Sequence, residues 1–225
     1  MTDHLPGPAG GWQGRPSRRL IAGLVLIGLG LLYAVPLLID LPGAFLRDWR
    51  IANAQLVGRG VTLVPVLLGY LGGLLIRDHL AGTNPARAGW AIMQIAGGLL
   101  LVVGTLALIH AALLARAPTG VAYLNPAITD PALQRRQAVT CPLEPEHLTA
   151  RGWEQQEVSL SSMEIARCGH GGGLIGAAVL ASTDTLLGAD LELPAALLLM
   201  TAGVMITVTA RLAQHRAAVL DALAD

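Results

Sequence analysis

Four long apolar stretches decide what this chain can fold into. Residues 20–39, 52–76, 89–114 and 193–212 each hold about the 20 residues that an α-helix needs to cross a hydrocarbon core. The first ends at Asp40, and Arg77 and Arg116 close the second and third. In the second, the strongly apolar part begins only at Val61 and is too short alone. The helix is therefore expected to start near Ala52 and to carry Arg59 inside its first turns. Glu192 and Pro194 open the fourth in the way helix N-termini favour, and Arg211 lies at its end.

Composition agrees. Only 13% of residues are charged, against about a quarter in a soluble domain, so much of the surface must face lipid or another chain. The net charge of zero gives no electrostatic footprint for nucleic acid. All 15 basic residues are Arg, which reads as the coding bias of a GC-rich, bacterial genome. The expected class is an all-α membrane protein: a four-helix bundle, multi-pass in a bacterial plasma membrane.

Residues 1–19 are rich in Gly and Pro and read as a disordered cytoplasmic tail. Arg15, Arg18 and Arg19 before the first apolar run look like the start of a signal peptide. That run is longer than a signal core and no Ala-x-Ala site follows it, so a retained span is expected. With the N-terminus inside, Arg15, Arg18, Arg19, Arg77, Arg87, Arg211 and Arg216 are cytoplasmic, while Arg47, Arg50 and Arg116 flank the outer side. That excess places both termini, including the tail 213–225, in the cytoplasm. Trp12, Trp49 and Trp90 fall near span boundaries, where aromatic anchors gather.

Residues 115–192 form the one long loop, expected outside. It contains all six Glu and carries nine carboxylates against five arginines. It also holds both cysteines, Cys141 and Cys168, so a single disulfide is expected there. The stretch PLEPEHLTARGW, 142–153, reads as a short helix and VSLSSMEI, 158–165, as a small hairpin. The competing reading is a metal shell of Cys141, His147, Cys168 and His170, whose spacings match no common zinc pattern. A thiol oxidoreductase would need a Cys-x-x-Cys pair, which the chain lacks. No cofactor motif is present, so none is expected.

Segment 171–188 starts with three glycines and is apolar to Ala181, too short to span. A fifth span would carry Arg211 and Arg216 outside, against the charge rule. The expectation is a short helix across the outer ends of the spans, with a re-entrant element as the alternative. Gly69-x-x-x-Gly73 and the pair Gly97, Gly98 are expected to bring helices close together. Pro36 and Pro65 are placed to bend their helices.

Ionisable groups inside spans are functional candidates. Asp40, Arg59 and His110 share the outer level and could form one polar cluster, although Arg59 snorkelling to headgroups and His110 bonding a carbonyl is the plainer account. Three functions follow. The leading one is an accessory, assembly or partner-binding subunit of a membrane complex, bound to a membrane protein or to copies of itself. The second is a channel or transporter with a path near Asp40, Arg59, His110 and 171–188. The third is an outer-face enzyme using His147 or His170 with Glu146 or Glu164. No nucleophile or phosphate-binding motif supports that last reading.

Overall fold

The structure, a computed structural model, describes residues 18–39, 43–80, 85–116, 118–142 and 145–224. Most of residues 1–19, and Asp40 with them, lie outside that set. Four helical stretches are long and apolar enough to cross a membrane: Arg19–Leu38, Ala44–Arg77, Ile92–Leu114 and Glu192–Ala217.

The first is helix α1, Arg18–Leu38, with Pro36 inside its last turn. The second is not one straight helix. It comprises α2, Ala44–Val57, a 3-10 turn, Gly58–Thr62, and α3, Leu63–Leu80. α2 begins well before the expected Ala52 because Gly43, at φ 144°, ends the preceding chain and the residues after it are amphipathic. Along α2, Arg47 and Asp48 are exposed while Trp49 packs edge-on against Tyr33 at 4.7 Å. The Tyr33 hydroxyl donates to Asn53 Oδ1 at 2.5 Å, which ties α1 to α2. The break has a local cause. Gly58 takes a left-handed φ of 57° that closes α2, and Pro65 lies in the first turn of α3, where a missing N–H costs least.

α4, Pro85–Leu114, contains the third of these stretches, and α9, Glu192–Ala224, the fourth. α1 packs chiefly on α3 and α4 chiefly on α9, with lighter contact between the two pairs. Small residues set both approaches. A Cβ on Gly72 would sit 2.6 Å from Gly23 O, and one on Gly23 2.8 Å from Gly72 O. In the other pair a Cβ on Gly97 would be 2.9 Å from Gly203 O and one on Gly203 2.5 Å from Leu101 N. Of the four glycines expected at helix contacts, Gly97 therefore lies in a tight seam, and Gly98 touches Tyr70 at ordinary distance. Gly69 and Gly73 face open space, and the seam of α3 runs through Gly72 instead. One residue is 100° around a helix, so a Gly-x-x-x-Gly spacing does not fix which face is used.

The segment between α4 and α9 is a lobe that corrects the all-α expectation, because it is built on a sheet. Strand β1, Thr119–Leu124, is central, flanked by β2, Val139–Thr140, and β3, Glu154–Ser159, both antiparallel to it. Asp130 caps α5, Pro131–Gln137, by accepting from Ala132 N at 2.9 Å. α6, Pro145–Ala150, is the short helix expected within 142–153. The expected hairpin at 158–165 is instead the end of β3 followed by α7, Ser162–Arg167. A reciprocal capping box fixes that helix: Ser161 Oγ accepts from Glu164 N, and the Glu164 carboxylate accepts from Ser161 N at 2.8 Å and from its hydroxyl. α7 turns Ile165 fully inward, a burial that contributes about 1.5–3 kcal/mol.

α8, Gly173–Leu187, is about 22 Å long, too short to span. It packs on the last turns of α4. Gly172 and Gly176 rest on the Leu106 carbonyl, and Leu180 joins Ala107, Ala111 and Ala196 in the core. Leu106 is about 12 Å along α4 from its end at Leu114.

Candidate functional site

Arg59 and His110, two of the three residues of the expected cluster, lie at a junction where short and irregular pieces of structure meet α4. Asp40 itself is outside the described residues. Arg59 lies in the 3-10 turn and is exposed, and its backbone N–H donates to Gly171 O at 2.8 Å. His110 is wholly buried.

Glycine makes this junction. Gly169, Gly171 and Gly173 have φ of 71°, 60° and 62°, values that L side chains rarely adopt. Gly58 and Gly173 face each other so closely that a Cβ on either would be 2.5 Å from the other's amide nitrogen. A Cβ on Gly172 would run into the Leu106 carbonyl. The 3-10 backbone at Gly58 therefore meets the loop 169–172 where the protein is packed and each buried polar group needs a partner. The Arg59–Gly171 bond supplies one such pairing across the two segments.

His110 bridges bundle and lobe. Its Nε2 lies 3.0 Å from Ser162 Oγ, at the first residue of α7. Its Nδ1 is buried without a partner among the described residues, and a Cβ on Gly171 would sit 2.7 Å from it. Either tautomer satisfies Ser162, and in both the second ring nitrogen faces the glycine loop unpaired, which costs about 1–3 kcal/mol. His110 thus bonds a side chain of the lobe, not a carbonyl of its own helix. Ser162 was unreadable as its partner, because 52 residues separate the two.

The disulfide completes the attachment. Cys141 and Cys168 are bonded, with Cα atoms 5.2 Å apart. This closes the lobe one residue before Gly169, which itself lies against Ala54 of α2. With both sulfurs bonded to each other, Cys141, His147, Cys168 and His170 do not form the four-ligand shell that the thiols allowed. Among the described residues no group of three or more His, Cys, Asp and Glu is placed to hold a metal. Glu164 is committed to its cap, and the Ser161 hydroxyl and N–H hold its carboxyl below the usual range, against a smaller opposing effect of burial.

At the opposite end of the bundle lies a second polar cluster. Arg77 Nη2 donates to Gln94 Oε1 at 3.2 Å and to Gln214 Oε1 at 2.7 Å, and Gln94 Nε2 donates to Gln214 Oε1 at 3.0 Å. Gln94 is 1% exposed, so the cluster fastens α3, α4 and α9 from within. Thr105, Thr201 and Thr207 bond carbonyls of their own helices.

Comparison with known proteins finds no matching family model, no similar curated protein and no similar solved structure.

Proposed function

We propose that this chain is a multi-pass protein of a bacterial plasma membrane that works by binding a protein partner, as an accessory or assembly subunit. Its termini are cytoplasmic and its acidic lobe is outside, on the arginine bias and the disulfide. One observation carries the reading: the lobe is fastened to the bundle by contacts that leave it little freedom. His110 holds Ser162, Gly58 meets Gly171 and Gly173, and the disulfide pins Cys168 beside α2. A lobe held that firmly is suited to display a fixed surface. The spans are suited to lie against other membrane helices, since Leu32, Ile92, Leu198 and Met205 are each about two-thirds exposed.

The test is purification in mild detergent of the intact chain and of a variant whose 119–160 sheet segment is replaced by a short linker. A stoichiometric membrane partner present with the first and lost with the second is the expected result. A lone, monodisperse species in both cases overturns the proposal.

A second reading, transport, is favoured by the meeting of a broken helix with a glycine loop at His110, since irregular backbone at span depth borders ion and substrate sites in many transporters. It predicts flux in liposomes that falls in Arg59→Ala, and unchanged flux there removes Arg59 from the path.

A further inference from the structure

The outer lobe contains a cavity of about 420 Å³, within the range of small-molecule sites. Its floor is one face of the sheet. Ala122 pairs with Thr140 on one side and with Gln156 on the other, and all three line the cavity together with Leu124 and Val158. Three charged groups complete the wall: Arg135 from α5, Glu164 from α7 and Glu157 of β3. Arg135 shares the cavity with both carboxylates without meeting either, since no ion pair joins them within 4.0 Å.

Glu164 is held in place from outside the cavity, and the helix that carries Arg135 is fixed at its start. Glu164 is anchored through one oxygen, Oε2, which takes both donors of Ser161 and leaves Oε1 uncommitted to the cap. Its carboxylate therefore stays ionised at neutral pH. Arg135 stands in the last turn of α5, whose first turn Asp130 caps and whose Gln134 donates to Asn125 O at 3.2 Å. Between the charges, Thr140 and Gln156 offer a hydroxyl and an amide over an apolar floor. A guanidinium suits a carboxylate through a forked pair of hydrogen bonds, and a carboxylate suits an ammonium.

We propose that this cavity binds a small zwitterion of the amino-acid class, its carboxylate on Arg135 and its ammonium on Glu164. The ligand's two charges would fill the gap that the two side chains leave. The site belongs to the lobe alone and stands whether the chain serves a partner or a transport path.

The experiment uses the full chain in detergent and a probe series of glycine, β-alanine, γ-aminobutyrate and L-alanine, followed by titration calorimetry and lobe amide shifts in NMR. Saturable binding of at least one member is expected, with shifts centred on Gln156 and Thr140. Acetate and methylamine, each with one of the two charges, should bind at least about tenfold more weakly. Arg135→Gln and Glu164→Gln should each weaken the zwitterion about tenfold or more. Gln at 164 retains a capping side chain, so α7 should persist. Arg50→Gln, on α2 outside the cavity, should change nothing. No saturable binding by any member, binding unaffected by both cavity variants, or acetate binding as tightly as the zwitterion would each overturn the assignment. A failed partner test with intact probe binding would remove the partner reading alone.

Discussion

The two ends of the bundle are fastened by opposite means. At the lobe end, Gly58, Gly171, Gly172 and Gly173 bring backbone onto backbone, onto the Leu106 carbonyl and against the His110 ring. At the other end, Arg77, Gln94 and Gln214 join three helices through long polar side chains. Backbone contact is intolerant, because a carbonyl in a helix cannot step aside for an added methyl. Side-chain contact is adaptable, because amides and guanidinium can re-pair. The contrast locates where the protein is rigid and which substitutions it will refuse.

The largest expected effect tests that directly. Gly172→Ala places a Cβ into the Leu106 carbonyl, and Gly58→Ala adds a left-handed φ to a collision with the glycine loop. Overpacking costs about 1–3 kcal/mol and the left-handed backbone about 1–2, so Gly58→Ala should lose about 3 kcal/mol or fail to fold. Gly73→Ala meets nothing and is helical, so it should be neutral or stabilise by up to about 1 kcal/mol. Reversible unfolding in mixed micelles reads both. Equal losses at Gly58 and Gly73 would show that the lobe end is no less forgiving than open helix.

These glycines also mark how far sequence reasoning reached. The four apolar stretches and the cysteine pair were legible because hydropathy over 20 residues and two thiols in one loop admit few arrangements. The sheet was not. β3, EQQEVS, is polar on both faces and five of its six residues are exposed, so it carries no alternation to read. The helix α7 was legible in its Ser161-x-x-Glu164 signature, but alternation in VSLSSMEI invited a hairpin instead. The candidate cluster was legible only in part. His110 stood out as an ionisable group in a span, whereas its link to Ser162 depends on the folded lobe.

Cutting the disulfide comes next in size. Replacing Cys141 and Cys168 by Ser opens a loop with a sequence separation of 27 and should cost about 3–4 kcal/mol by chain entropy. The loss should be confined to the lobe and the glycine junction, read as faster hydrogen exchange in β1 and α7. Equal acceleration around Gln94 and Gln214 would mean that the two ends are not independent.

The polar end should show an asymmetry of its own. Gln214 Oε1 accepts from both Arg77 and Gln94. Gln214→Leu therefore strands the buried Gln94 amide N–H and should cost about 1–3 kcal/mol. Gln94→Leu leaves the Arg77–Gln214 bond of 2.7 Å intact and removes the buried amide, so about 1 kcal/mol or less is expected. The same unfolding assay measures both, and a reversed order would break the account of the cluster.

The smallest effect is a response to pH that separates the ends. The Ser161 hydroxyl and amide stabilise the charged Glu164 carboxylate, so its folded pKa lies below its unfolded value. The unfolded chain then binds the proton more readily, and the capping contribution is complete above the unfolded value of about 4.3. It fades as pH falls through the lower folded value. Because Glu164 is partly exposed, the change should be small, felt as fraying of α7 rather than global unfolding. Amide exchange of Ile165 and Ala166 should rise as the solution is acidified from pH 6 toward pH 3, and Glu164→Gln should flatten that rise while keeping a cap. Gln94 and Gln214 do not titrate, so their end should hold its protection over the same range. Ser162 begins α7, so fraying that helix first loosens the grip of His110, and the backbone contacts at Gly58 and Gly172 should be the last of the lobe attachment to yield.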